Sequence, residues 1–278
     1  MKDNDEYLEF AKSLAEDAGR IMKKYFLAEE MGLEIKSDNS PVTQADTEIN
    51  ELVVQWVKSR YPDHGVMGEE DSFGLDKDVM WIVDPLDGTY SFAIGIQPFA
   101  FSAALVEDGQ LRVGVVYDPI TKRLLWATIG QGAFENGKKL DITDKNLTDN
   151  LLISSWVVGG IENSIFSDKS VHGETAGAYA QTGRIDEIDL PIAYGLAITG
   201  SGRVDGLVSS IKTPWDVAAG SLIAMEAGAK VTDLFGNAVK RWDKEANGIL
   251  AAAPKLHAYL SETIKSVLES AKNENNRH

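Results

Sequence analysis

The sequence predicts an α+β protein built in layers, an αβαβα sandwich of helices and sheets. Three observations carry that reading. Two long stretches near the start repeat apolar residues at helical spacing. A middle block of short apolar runs is broken by turn residues. A final block alternates strand-like and helix-like segments before a closing helix. A chain of 278 residues can bury a large core, either as one layered domain or as two lobes in close contact.

Residues 5–27 read as an amphipathic helix, with Leu8, Ala11, Leu14, Ala15, Ala18, Met22 and Tyr25 recurring on one face. Residues 45–60 read as a second, with Ile49, Leu52, Val53, Trp56 and Val57 on one side, ended by the breaker run Tyr61-Pro62-Asp63-His64-Gly65. Val79-Met80-Trp81-Ile82-Val83 is an apolar run expected to stop at Asp84-Pro85, a buried strand feeding a loop. Residues 100–106 and 111–117 flank Glu107-Asp108-Gly109-Gln110 as a hairpin, and 123–128 read as a further strand. This half is expected to set its helices on one side of a largely antiparallel sheet. Polar residues 141–150 read as a connection, which divides an N-terminal α+β lobe, residues 1–145, from a C-terminal α/β lobe, residues 146–278. In the second lobe 151–155, 206–209, 229–233 and 249–252 read as strands. Residues 173–182, 192–200, 217–227 and 256–271 read as helices.

Composition narrows the function. The chain is 44% hydrophobic and 25% charged, ordinary for a globular protein. No run of about eighteen apolar residues suggests a membrane span, and the acidic start Met1-Lys2-Asp3-Asn4-Asp5-Glu6 does not resemble a secretory signal. There are no cysteines, so disulfides, zinc–thiolate sites and a cysteine nucleophile are excluded together. A cytoplasmic location suits that. The formal charge of −16 argues against nucleic acid polymers and membranes as partners. An anionic substrate would need help to approach such a protein, and bound divalent cations would supply it locally.

Three acidic clusters could bind such cations: Gly68-Glu69-Glu70-Asp71, Asp84-Pro85-Leu86-Asp87-Gly88-Thr89 and Trp215-Asp216, the last just ahead of a helix. Pro85 forces a turn after Asp84, and Asp87 returns a second carboxylate to nearly the same point. Gly88 permits close backbone approach, so its N–H and that of Thr89 can face an anion. Two carboxylates this close repel unless a cation sits between them. Mg²⁺ takes about six oxygen ligands and keeps several waters, so a few carboxylates plus a phosphate suffice. Each cluster also has an ordinary structural reading: an Asx-turn at 84–89, a solvated pair at Glu69-Glu70, a helix N-cap at Asp216. His64, His172, His257 and His278 are scattered, which suggests surface positions and no histidine-based zinc site.

Taken in order and at these separations, the three motifs resemble the inositol monophosphatase family of metal-dependent, lithium-sensitive phosphatases, whose fold is also that of fructose-bisphosphatase. The likeness runs from about Phe10 to Ala252. Lys36 with Ser40-Pro41-Val42-Thr43-Gln44-Ala45-Asp46, and Gly114-Val115-Val116-Tyr117-Asp118-Pro119, agree with it. The resemblance implies two to three Mg²⁺ ions. Glu69, Asp84 and the Leu86 carbonyl would hold one, and Asp84, Asp87 and Asp216 a second. A third, weaker ion would use Glu69 and Asp87 with waters. Thr89, bonded to Asp46, would help deprotonate the attacking water, while the N–H groups of Gly88 and Thr89 receive phosphate oxygens. Catalytic roles thus fall to Glu69, Thr89 and Asp46. The resemblance further implies a homodimer acting on a small phosphorylated metabolite.

The substrate side departs from the inositol-selective pattern. Seven residues before Asp216, where those enzymes carry a glutamate, stands Ser209. The small-residue segment before the 192–200 helix is replaced by Glu187-Ile188-Asp189-Leu190-Pro191. Ser209 and Lys212 are the candidate substrate contacts, with Arg184 a further cation that could meet a second phosphate. The same chemistry on histidinol phosphate, fructose 1,6-bisphosphate or a 3′-phosphonucleotide is the alternative. A non-catalytic metal- and phosphate-binding scaffold is the reading from a different class.

Overall fold

A computed structural model describes residues 4–28, 32–37, 41–145, 151–156 and 185–275. Helix α1 (Asn4–Tyr25) places Asp5 and Glu6 in its first turn and Lys23 and Lys24 in its last, matching the helix dipole at both ends. Its Ala11, Leu14, Ala15, Ala18 and Met22 are buried. A short pair, β1 (Glu34–Ile35) and β2 (Pro41–Val42), precedes α2 (Gln44–Arg60). Asp46 closes the start of α2, its Oδ2 accepting from Thr43 N at 2.8 Å and Thr43 Oγ1 at 2.6 Å.

The larger sheet is formed by β3 (Gly65–Gly68), β4 (Ser72–Phe73), β5 (Val79–Asp87), β6 (Ala100–Glu107), β7 (Gln110–Asp118), β8 (Arg123–Thr128), β9 (Gly132–Glu135) and β10 (Lys138–Lys139). Its order is β10-β9-β8-β7-β6-β5-β3-β4, and only β3 with β5 pair in parallel. A short helix α3 (Thr89–Ala93) follows β5. The smaller sheet contains β11 (Leu151–Trp156), β12 (Ile185–Ile188), β13 (Gly206–Ser209), β14 (Lys230–Thr232) and β15 (Ile249–Ala252), in the order β12-β11-β13-β15-β14. Helices α4 (Ile192–Gly200), α5 (Pro214–Glu226) and α6 (Pro254–Asn275) complete the described chain.

Strand alternation sets the layers. Trp81 and Val83 of β5 face α1 and α2, while Met80 and Ile82 face α4 and α5. Leu207 and Ala251 of the smaller sheet join that same middle layer, whereas Val208, Leu250 and Ala252 turn outward to Leu256, Leu260 and Ile264 of α6. The result is the expected αβαβα sandwich. Because α4 lies between two sheets, all nine of its residues are buried, and no polar stripe marks it in the sequence.

Several elements differ from expectation. β5 does not stop at Asp84 but continues through Asp87. α5 begins at Pro214, so Asp216 lies inside its first turn and Thr213 is the N-cap. β1, β2, β3, β4, β9, β10 and β12 have no counterpart among the predicted strands. β3 carries two glycines in four residues, and β12 reads Ile-Asp-Glu-Ile at a sheet edge, with Asp186, Glu187 and Ile188 exposed. The far face of the large sheet is covered by helices from the second half of the chain. The expected helix at 173–182 lies outside the described residues, as do His172, Arg184 and His278. His64 and His257 are buried, against the expectation of surface positions. His64 stacks on Tyr61, and His257 meets Thr232 Oγ1 through Nε2 at 2.9 Å.

Candidate active site

The end of β5 sets the site. Asp84 lies opposite Ser102 and Asp87 opposite Ala100, so three steps along β5 match two along β6. This is a bulge, and Pro85, which has no N–H to contribute to a ladder, sits within it. Side chains three apart on a regular strand point to opposite faces. The extra residue restores parity and turns both carboxylates the same way. Asp84 Oδ1 accepts the Leu86 N–H at 2.9 Å, so the Asx-turn is present as well. Asp87 Oδ2 accepts the Tyr194 N–H at 2.7 Å, from the first turn of α4. Asp216 is held in the first turn of α5 by a hydrogen bond from the N-cap Thr213 hydroxyl.

These three carboxylates converge. One oxygen from each of Asp84, Asp87 and Asp216 lies within 4.8 Å of the others. Asp84 and Asp87 are both buried. Loss of hydration and mutual repulsion, with Glu69 adding to it, push the carboxyls of Asp84 and Asp87 well above the usual range. For Asp216 loss of hydration, with Glu69 adding to it and the Thr213 bond opposing, pushes the value up to about 7. A buried group of anions that resists its own charge is suited to a hard dication with oxygen ligands.

Glu69 follows β3, its N–H donating to Val83 O at 3.2 Å. Its Oε1 accepts from Lys36 Nζ at 3.0 Å, and the same ammonium meets Glu70 Oε1 at 2.6 Å. Burial works against the Lys36 charge, yet the bonds to Glu70 and Glu69 outweigh it and hold the ammonium above its ordinary range. The sequence places Lys36 only within a matching segment and gives no sign of its contact with both glutamates. Opposite charges far apart in sequence carry no sign that they meet.

Glu69, Asp84, Leu86, Asp87, Gly88, Thr89 and Asp216 all line one cavity of about 230 Å³. Thr89 Oγ1 donates toward Leu86 O at 3.0 Å and Asp46 Oδ1 at 3.3 Å. Burial, against the Thr43 bonds, pushes the Asp46 carboxyl up to about 6. Gly88 has φ of 93°, a left-handed conformation, and a Cβ there would come within 2.7 Å of Pro191 Cγ. The missing Cβ lets the chain pass this close to Pro191 where Gly88 and Thr89 line the cavity. Ser209 and Lys212 are not among the lining residues. Ser209 is fully buried and its Oγ accepts the Ile211 N–H at 3.1 Å. Ile211 lines the cavity instead, with Asp189, Leu190, Pro191, Ile192 and Tyr90.

A sequence profile of the inositol monophosphatase family matches residues 3–269. The chain belongs to the inositol monophosphatase family. It is 35% identical over 254 residues to a Vibrio cholerae protein named Nus factor SuhB, covering 89% of this chain and 91% of that one. It is 33% identical over 213 residues to the Thermotoga maritima fructose-1,6-bisphosphatase/inositol-1-monophosphatase, covering 75% and 78%. The solved Thermotoga maritima IMPase superposes with a TM-score of 0.81 at 28% identity, over 95% of this chain and 99% of that one. The inositol monophosphatase family is a family of metal-dependent phosphatases, and the Asp84, Asp87 and Asp216 cluster of this member could bind a metal. Among the described residues no helix is long and apolar enough to cross a membrane.

Proposed function

We propose that this chain hydrolyses a small phosphate monoester in a Mg²⁺-dependent reaction with water as the nucleophile. The observation that carries this reading is the convergence of Asp84, Asp87 and Asp216 within 4.8 Å on the wall of a single cavity. In this reading Glu69, Asp84 and the Leu86 carbonyl would hold one ion, and Asp84, Asp87 and Asp216 a second. Glu69 and Asp87 would serve a third, weaker one. Mg²⁺ bound there would neutralise phosphoryl charge and make a neighbouring water more acidic.

The chain's own groups do the rest. Thr89 Oγ1 takes the proton of the attacking water as its own proton passes to Asp46 Oδ1, a carboxylate whose raised affinity for protons suits it to receive one. The N–H groups of Gly88 and Thr89 receive the phosphate oxygens and hold phosphorus in line. Lys212, beside Ile211, stays a proposed substrate contact; Ser209, enclosed at its strand end, does not. A cytoplasmic homodimer belongs to the same proposal.

A second reading, a non-catalytic metal- and phosphate-binding scaffold, draws support from relatives that carry the name Nus factor. The Thr89–Asp46 pair favours catalysis, because a scaffold needs no route for a proton. The test is hydrolysis of para-nitrophenyl phosphate and inositol 1-phosphate. Activity with Mg²⁺ that vanishes with chelator supports the proposal. Full activity in chelator rules out the mechanism, and inactivity on a broad panel of esters favours the scaffold.

A further inference from the structure

The cavity lining is of two chemical kinds. One is the set of converging carboxylates. The other is an apolar wall of Leu190, Pro191, Ile192 and Ile211, with a single further carboxylate, Asp189, that takes no part in the metal-binding group. Leu190 and Ile192 are buried, while Asp189, immediately before them, is exposed and still lines the cavity, so it is open to solvent and to a ligand alike. Its position is fixed by its neighbours. Pro191 presses on Gly88, Gly195 N bonds Pro191 O at 2.7 Å, and Tyr194 N bonds Asp87. The stretch that carries Asp189 is therefore tied to the strand end that would hold the phosphate.

Asp189 has no ion-pair partner among the described residues, and no lysine or arginine lines the cavity among them. Lys36, the cation beside Glu69, is already engaged by Glu69 and Glu70. We propose that Asp189 selects the alcohol, favouring the phosphate ester of a compact amino alcohol over a sugar bisphosphate or a polyol phosphate. This rests on the phosphatase reading above. An ammonium group on the alcohol pairs with the Asp189 carboxylate, and its carbon body lies against the apolar wall. A second phosphate would be brought beside Asp189 and repelled. A ring of hydroxyls would lose water against the wall without partners there.

The experiment compares wild type, Asp189→Asn and Asp189→Lys on histidinol phosphate, inositol 1-phosphate and fructose 1,6-bisphosphate with Mg²⁺. Asp189→Asn is expected to lower the ratio of kcat/KM for histidinol phosphate over inositol 1-phosphate about three- to fivefold, as fits an exposed ion pair. Asp189→Lys lowers it further and shifts preference toward the bisphosphate. Calorimetry adds a readout that needs no turnover: histidinol titrated into protein with Mg²⁺ and inorganic phosphate should bind more weakly to both variants. An unchanged ratio and unchanged histidinol binding in both variants overturn the assignment. A wild type that cleaves no ester, yet loses histidinol affinity in Asp189→Asn, keeps Asp189 as the ammonium contact and overturns the hydrolytic reading instead.

Discussion

Asp87 separates two demands that usually conflict. Its carboxylate is buried, so without a cation it strains the fold, yet its Oδ2 accepts the Tyr194 N–H and helps to dock α4. Asp87→Asn keeps an acceptor for that bond and removes the charge. We expect activity to fall roughly 10²–10³-fold, as for loss of one group aimed at transition-state charge. We also expect the metal-free variant to melt about 2–4 °C above metal-free wild type, corresponding to about 1 kcal/mol of relieved repulsion. Paired kinetic and thermal measurements check both halves, and a variant destabilised in the absence of metal would contradict this view of the cluster. The ligand candidates were legible because Asp-Pro-Leu-Asp-Gly-Thr is a local motif whose residue types restrict the backbone. Asp189 and Ile211 were not legible as cavity walls, since nothing in a sequence says which face of a loop will close against a distant strand.

Elements bring the carboxylates together, and two glycines allow the approach. A Cβ at Gly220 of α5 would lie 2.5 Å from Leu196 Cβ and 2.6 Å from Ala193 O of α4, and one at Gly114 of β7 would lie 2.9 Å from Ala219 O. α4 holds Asp87 and α5 carries Asp216, so their spacing sets the site. Gly220→Leu is expected to cost about 1–3 kcal/mol by overpacking and to weaken Mg²⁺ binding as well. Denaturant unfolding and metal titration of the same variant test this, and weakened stability with unchanged Mg²⁺ affinity would contradict it.

At α6, Thr232 Oγ1 donates to Asp233 O at 2.8 Å, so His257 Nε2 must carry the proton in its own bond to Thr232, and Nδ1 is left buried and bare. Burial, with Lys230 nearby, lowers the imidazole to about 4. Between pH 6.5 and 4 the unfolded chain binds a proton that the fold refuses, so stability falls as pH drops through that window. The loss is on the order of 1–3 kcal/mol, and His257→Asn should flatten the slope in urea titrations across that range. The amphipathic helices and the hairpin were plain from periodicity. The middle layer was not, because helices and strands buried on all sides lose the polar face that makes a period visible.

For the whole molecule, the change from one sheet to the other falls between Lys139 and Leu151. We retain the division at 145/146 as a proposal about lobes that do not separate on unfolding. One apolar cluster draws Ile82, Ala104 and Val116 from before the division and Leu196, Leu222 and Ala251 from after it. Calorimetry should therefore give one transition with matching van't Hoff and calorimetric enthalpies, raised by Mg²⁺; two resolved transitions would contradict shared folding. The charge of −16 concentrates no basic field that would draw in a phosphate, so substrate attraction depends on the bound cations.

The most direct measurement is a crystal structure of the protein with Mn²⁺ and inorganic phosphate, with the metals located by anomalous scattering. The account predicts peaks ringed by Glu69, Asp84, Asp87 and Asp216, with phosphate between them and the N–H groups of Gly88 and Thr89. An empty carboxylate cluster at saturating Mn²⁺, or phosphate bound elsewhere, would contradict it.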